Sequence, residues 1–159
     1  MARGGGTAKI TEGANDVASF YGDAGGWGSS YTKIREITLR KSNGTGITAT
    51  TSSTEGSSVT INRPGTFLII YNDQSSVDTR NHGISLNTTA PSTDYNSISA
   101  SEQLAYAEGR LGSGVVSYGS ALWIGRLDAG DVVRPHTNGT DFQNGSSQPI
   151  SFFVVRVGL

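Results

Sequence analysis

The apolar residues of this chain come in runs the length of a β-strand, and turn-forming residues separate the runs. The longest strongly apolar runs are Phe67–Tyr71 and Ile150–Val155, about five or six residues each in a chain of 159 residues. Turn signals such as Ser42-Asn43-Gly44 and Arg63-Pro64-Gly65 lie between such runs. No stretch has a convincing helical period. The pattern predicts roughly eight to ten short strands and therefore an all-β sandwich or barrel.

Several of these strands are apolar on both faces. Phe67, Ile69 and Tyr71 point to one side of their strand, whereas Leu68 and Ile70 point to the other. The strand that begins at Ala121 and the strand at the carboxyl end repeat this pattern. A two-sheet sandwich hides only one face of each sheet. The remaining apolar faces therefore need another covering surface, and a second copy of the same chain is the simplest candidate.

Composition excludes several classes of protein. The chain has no cysteine, so it has neither a disulfide framework nor a cysteine-ligated metal site. Its net charge of −1 predicts no nucleic-acid partner. A membrane-spanning helix needs about 20 apolar residues in a row, and no such run occurs, so no membrane association is expected. No apolar signal segment follows Met1, which predicts a protein made in the cytoplasm.

The first thirty residues differ from the rest of the chain. They are rich in glycine, yet they contain or adjoin four aromatic residues, Phe20, Tyr21, Trp27 and Tyr31. A free linker rarely carries aromatics. One interpretation is a flexible tail, and the other is an arm that becomes ordered on another subunit. The sequence thus predicts two regions, an irregular N-terminal arm over residues 1–30 and a β-domain over residues 31–159.

Residues that could carry chemistry are few. His82 and His136 both lie in polar stretches and are interpreted as surface or interface histidines; three copies around an axis would be needed to make them metal ligands. Asp128 and Asp131 are interpreted as turn residues, with calcium binding as the alternative. Trp123, in an apolar strand, is assigned to the core rather than to sugar stacking. No nucleophile elbow or phosphate loop occurs, so no catalytic residue, metal or cofactor is predicted.

Four segments taken in order resemble the tumour necrosis factor and complement globular-head superfamily. Residues 63–71 (RPGTFLIIY) resemble its Pro-Gly-led aromatic strand, and residues 83–87 stand where that family has its next core strand. Residues 127–133 (LDAGDVV) resemble its Gly-Asp turn, and residues 150–155 resemble its closing strand. The order and spacing agree over about residues 59–159.

This resemblance implies an antiparallel two-sheet jelly-roll sandwich that assembles as a compact homotrimer. It places Phe67–Tyr71, Ala121–Leu127 and Phe152–Val157 on or near the inner sheet, around the threefold axis. The residues expected at the trimer interface are Phe67, Ile69, Tyr71, Phe153 and Val155.

A cysteine-free jelly roll with a glycine-rich arm is similar to the capsid decoration, or cement, proteins of tailed bacteriophages. That similarity implies a structural virion protein on the outer surface of the particle, bridging and stabilising shell subunits. Its partners would be itself and the major capsid protein or another virion protein. Phe20, Tyr21, Trp27 and Tyr31 would make the capsid contacts of the arm. The alternative is a receptor- or glycan-binding head of a tail fibre or spike, with recognition carried by loops.

Overall fold

The computed structural model describes residues 16–22, 26–75, 80–109, 117–139 and 150–158. Within these ranges the chain forms twelve strands and two short 3₁₀ turns, Tyr95–Ser97 and Ala100–Glu102, and no α-helix. The strands are β1 (Val17–Gly22), β2 (Gly26–Trp27), β3 (Arg35–Glu36), β4 (Leu39–Asn43), β5 (Ile47–Ser52), β6 (Gly56–Ile61), β7 (Gly65–Ser75), β8 (Arg80–Leu86), β9 (Gln103–Gly109), β10 (Ser117–Leu127), β11 (Val132–Thr137) and β12 (Ile150–Gly158).

Ten of these strands form two five-stranded sheets that pack face to face. Sheet I has the order β10-β7-β12-β1-β4, and sheet II has the order β5-β6-β11-β8-β9. Every pairing within them is antiparallel. The two remaining strands, β2 and β3, pair as a small ribbon. The predicted antiparallel two-sheet sandwich is confirmed, and so is the placement of β7, β10 and β12 in one sheet.

The core lies between the two sheets and is closed by aromatic contacts. The rings of Phe20 and Phe152 are 5.5 Å apart, and the ring of Tyr71 meets Phe152 edge-on at 6.1 Å. Such tilted and edge-on pairs contribute about 0.5–1.5 kcal/mol each beyond the area that they bury. Branched aliphatic residues from both sheets and from the segment between β3 and β4 complete the core; they are Ile37, Ile47, Val59, Ile61, Ile69, Ile84, Leu127, Val133, Ile150 and Val154.

The first described residues belong to the sandwich, which corrects the predicted boundary. Residues 17–22 form β1, which pairs with β12 on one side and with β4 on the other. The irregular arm predicted over residues 1–30 is therefore wrong for this segment, because Ala18 and Phe20 alternate inward with outward neighbours and enter the core. Residues 1–15 and 23–25 lie outside the described residues, so the arm prediction for them stays a prediction.

Both histidines are buried in strands, so their interpretation as surface or interface histidines is wrong. His82 lies within β8 and His136 within β11, and both side chains are almost fully buried. β11 continues through Pro135, although proline has no N–H to donate. Its pairing with β6 covers only Val132 and Val133, so at Pro135 no hydrogen bond to β6 is required. Beyond the proline, the strand bonds to Lys33 instead.

The turn interpretation of Asp128 and Asp131 is confirmed. Asp131 accepts a hydrogen bond from the backbone N–H of Asp128 at 2.8 Å and another from the side chain of Asn87 at 2.7 Å. Gly130 occupies the left-handed region with φ of +97°, where other residues are strained.

In the described part of the chain, no helix is long and apolar enough to cross a membrane.

Candidate functional site: an exposed apolar sheet face

The outer face of sheet I, which points away from the core, is apolar across four strands. We call it the apolar face, and its residues are Val17, Leu68, Ile70, Leu122, Ile124, Phe153 and Val155. The strand register aligns them in two rows. Leu122 lies opposite Ile70, which lies opposite Phe153. Ile124, Leu68, Val155 and Val17 form the second row in the same way.

The part of the apolar face that lies on β10 is open to water. Leu122 is 59% exposed and Ile124 is 61% exposed, both in the edge strand β10. The neighbouring Leu68 and Ile70 are half-buried by the side chains around them. Single exposed apolar residues are ordinary, but a contiguous patch on a folded domain indicates an interaction surface. The apolar face is therefore the candidate functional site.

The inward packing of Trp123 sets which residues of β10 face outward. Trp123 is half-buried and packs against the core cluster, as the sequence predicted. Gly125 allows this, because a Cβ at that position would lie 2.5 Å from the indole ring. Ala121 and Leu127 are also buried on the inner side. Since side chains alternate along a strand, Leu122 and Ile124 must then point to solvent.

The structure corrects three of the five residues predicted for a trimer interface. Phe67, Ile69 and Tyr71 have no exposed surface and lie between the two sheets, so they cannot contact another subunit through the folded sandwich. Phe153 and Val155 lie on the apolar face, half-buried. The predicted set thus took the buried inner face of β7 and the outer face of β12. Within the apolar face, sequence reasoning missed Leu68, Ile70, Leu122 and Ile124 as interface candidates, although their alternation with core residues was the available signal.

The four aromatics predicted as arm contacts do not share a surface. Phe20 is a core residue, which corrects its assignment to the arm. Tyr21 is 44% exposed at the end of β1. Trp27 is half-buried with the guanidinium of Arg35 4.5 Å from its ring centre. Tyr31 packs in the same way against Arg134, at 5.6 Å. Only Tyr21 is freely presented to a partner.

A buried polar cluster lies at one end of the core. Arg35 and Asp73 form an ion pair with Nε and Oδ2 2.9 Å apart, and both side chains are fully buried. The hydroxyl of Tyr71 also donates to Asp73, and the ring of His82 meets Tyr71 edge-on at 5.3 Å. Burial, together with Asp73, raises the pKa of Tyr71 well above its usual value. Burial lowers the pKa of His82. These groups are sealed from solvent, so the cluster has a structural role.

A second buried ion pair holds the start of β1 against the other end of the sandwich. Arg156 in β12 approaches Asp16 at 3.4 Å and donates to the carbonyl of Pro64 at 2.6 Å. Asp16 also accepts the backbone N–H of Gly46 at 2.8 Å. Removing one partner of such a pair typically costs about 3–5 kcal/mol, because the other charge stays buried. This contact ties the amino-terminal strand to three separate segments.

The described residues contain no group of three or more histidine, aspartate or glutamate side chains that could hold a metal ion. His82 and His136 stand in separate surroundings. His136 meets Tyr95 edge-on at 5.6 Å, beneath the loop of residues 87–102. Within one chain the described residues therefore do not bring the two histidines together, and the absence of a metal and of catalytic activity stays a prediction.

Comparisons with known proteins identify the fold. Murine APRIL, in a crystal structure at pH 5.0, is similar to this chain with a TM-score of 0.65 and 13% identity, over 90% of this chain and 99% of APRIL. Eiger TNF from S. frugiperda is similar with a TM-score of 0.61 and 14% identity, over 91% of this chain and 94% of Eiger. No family model matches the sequence, and no curated protein matches it. The chain has a tumour necrosis factor-like jelly-roll fold, and at this identity the similarity concerns the fold alone.

Proposed function

We propose that this chain is a structural virion protein that forms a homotrimer through the apolar face and decorates the outer surface of a tailed-phage capsid. The observation that carries the proposal is the contiguous apolar face across β10, β7, β12 and β1. The jelly-roll fold supports it, because the resemblance of residues 59–159 implies a homotrimer that packs through one sheet. The capsid context comes from the similarity of a cysteine-free jelly roll to phage decoration proteins.

The energetics favour a protein partner for this face. Fully burying a leucine or isoleucine side chain contributes about 1.5–3 kcal/mol relative to leaving it in water. Leu122 and Ile124 are more than half exposed, so their burial alone contributes about 2–4 kcal/mol per subunit. A second copy presents the same apolar surface, and closed symmetric assemblies bury such surfaces without leaving open ends.

Assembly also supports the bridging function. A trimer carries three identical attachment sites, so three individually weak contacts with shell subunits bind with the strength of a multivalent ligand. Tyr21 lies in the strand that borders the apolar face and is open to solvent, which suits a contact at its margin. Residues 1–15 lie outside the described residues and keep the predicted role of an attachment arm.

The solution mass tests self-association. Light scattering of the native chain should give about three times the monomer mass of 16.6 kDa. Leu122→Lys should give a folded monomer, because it places a charge in the apolar interface. Thr50→Lys is the matched control, since Thr50 is exposed on the opposite sheet, and it should stay trimeric. A native chain that remains monomeric or dimeric across concentrations would refute the trimer.

A truncation tests capsid attachment separately. The cut must fall before Asp16, since removal of residues 1–30 would delete β1 from sheet I. A chain lacking residues 1–14 should keep its trimeric mass but no longer sediment with shells assembled without the decoration protein. The full chain should sediment with them. If neither the full chain nor the truncated chain binds any shell, the capsid assignment is wrong even where the trimer forms.

A further inference from the structure

A polar pocket of about 310 Å³ lies on the edge of sheet II, the sheet that does not carry the apolar face. It is lined by Asn81, Asn96, Gln103, Tyr106 and Glu108. Three of these residues belong to the edge strand β9, one to its neighbour β8, and one to the first 3₁₀ turn. The pocket is formed within one chain, so it does not depend on the proposed self-association.

The strand register and the covering loop build the pocket. Glu108 pairs opposite Asn81, and Tyr106 pairs opposite Gly83. A Cβ on Gly83 would lie 2.5 Å from the ring of Tyr95, so only glycine lets that ring settle on the sheet. The hydroxyl of Tyr95 then donates to the carbonyl of Ala105 at 2.9 Å. The loop that carries Asn96 is thereby held against β8 and β9 as one wall of the pocket.

Among the described residues, part of the hydrogen-bonding capacity around the pocket remains unused. Gln103 donates through Nε2 to the carbonyl of Ile98 at 3.0 Å, which leaves its Oε1 as an acceptor. The side chain of Asn96 and the hydroxyl of Tyr106 make no hydrogen bond to the described residues. Asn96 is held from its backbone, which donates to Asn138 at 3.0 Å. Polar groups held in place by a rigid framework are the usual specificity elements of a small-ligand site.

Tyr106 supplies a flat apolar surface beside these polar groups. Its side chain is 63% exposed, the most open of the large apolar side chains in the described residues. An aromatic ring next to amide donors and acceptors matches a ligand with one apolar C–H face and a rim of hydroxyl groups. A pyranose sugar has this chemistry. The described lining residues include one carboxylate, Glu108, and no cationic side chain, which disfavours phosphate, sulfate or acidic sugars.

We propose that this pocket binds a neutral sugar unit of a glycan. On a decorated particle, such a site would attach the virion to polysaccharide on a cell surface. A single shallow site of this kind binds weakly, and several copies on one particle raise the overall strength by multivalency. The proposal assigns stacking to Tyr106 and hydroxyl recognition to Asn96 and Gln103.

The test is an amide NMR titration of the full chain with glucose, galactose, mannose and N-acetylglucosamine, and with N-acetylneuraminic acid as the acidic probe. At least one neutral sugar should produce saturating shifts at residues 81, 96 and 103–108. Tyr106→Ala should weaken that binding by about tenfold or more, because it removes the stacking surface. Tyr106→Phe, which keeps the ring, should bind within a few-fold of the native chain.

Tyr118→Ala is the matched control, since Tyr118 is a similarly exposed tyrosine on sheet I, and it should leave the titration unchanged. Light scattering of each variant separates a loss of sugar binding from a change of assembly. The proposal is overturned if no neutral sugar saturates these residues. It is also overturned if Tyr106→Ala binds as well as the native chain, or if the acidic sugar alone binds.

Discussion

Acidification should destabilise the sandwich through His136, which is fully buried in β11. Its Nε2 lies 2.7 Å from the carbonyl oxygen of Thr93. Because a carbonyl only accepts hydrogen bonds, Nε2 carries the proton and Nδ1 is the bare nitrogen. Nδ1 is buried and has no hydrogen-bond partner among the described residues. A second proton there would place a charge and an unpaired donor in the interior.

Burial lowers the pKa of His136 from 6.5 to about 4, although the hydrogen bond to Thr93 and the carboxylates of Asp94 and Glu102 oppose the shift. In the unfolded chain the pKa returns to about 6.5. Between these two values the unfolded chain binds a proton that the folded chain does not, so the free energy of unfolding falls as the pH falls. The loss from this one residue reaches about 2 kcal/mol near pH 5 and about 3 kcal/mol below pH 4.

The assay is urea unfolding at about pH 7.5 and pH 5, at one protein concentration, followed by the fluorescence of Trp27 and Trp123. Between the two pH values, the native chain should lose about 2 kcal/mol more stability than His136→Gln, which cannot titrate. Protonation of carboxylates changes the stability of the native chain and of His136→Gln equally, so it cancels when the two losses are compared. His82→Gln is a further control. It still contains His136, so it should keep the part of the pH-dependent loss of stability that His136 causes.

The reasoning fails if the native chain and His136→Gln lose the same stability between the two pH values. It also fails if NMR titration of the folded protein shows His136 gaining its proton near pH 6.5. In either case the imidazole would have an ordinary pKa, and its environment would have to be open to water.

Three further changes test other parts of the structure. Asp73→Ala should lower the free energy of unfolding by about 3–5 kcal/mol, because the buried guanidinium of Arg35 loses its carboxylate; a change under about 1 kcal/mol in urea unfolding would contradict the ion pair. Gly83→Ala should speed hydrogen exchange across residues 87–102, since the new methyl group collides with the ring of Tyr95. Phe20→Ala should cost about 3–5 kcal/mol in thermal or urea unfolding, whereas an arm residue outside the core would cost almost nothing.

The fold class could be predicted from the sequence because its signals are local. Alternating side chains and turn residues are read within a few positions, and they located β7 and β12 to within a few residues. The turn at Asp128–Asp131 followed from the same local chemistry. A strand with apolar side chains on both faces also indicated, from sequence alone, that one sheet face needs a covering partner.

Tertiary structure alone decided which face turned inward. A strand such as β7 that is apolar on both sides has no local preference, so Phe67, Ile69 and Tyr71 could have faced either way. Their inward position depends on pairing with β12 and β10. These are contacts between distant segments, and no short window of sequence contains them.

The same reason explains the misplaced amino-terminal boundary and histidines. Residues 17–22 carry a weak local strand signal, and they become β1 because the opposite end of the chain, β12, supplies their hydrogen bonds. His82 and His136 lie in polar sequence, and they are buried because neighbouring strands and the loop bearing Tyr95 close over them. The sequence by itself determined the strands and turns of a sandwich. The packing of its distant segments decided which apolar surface remained for a partner.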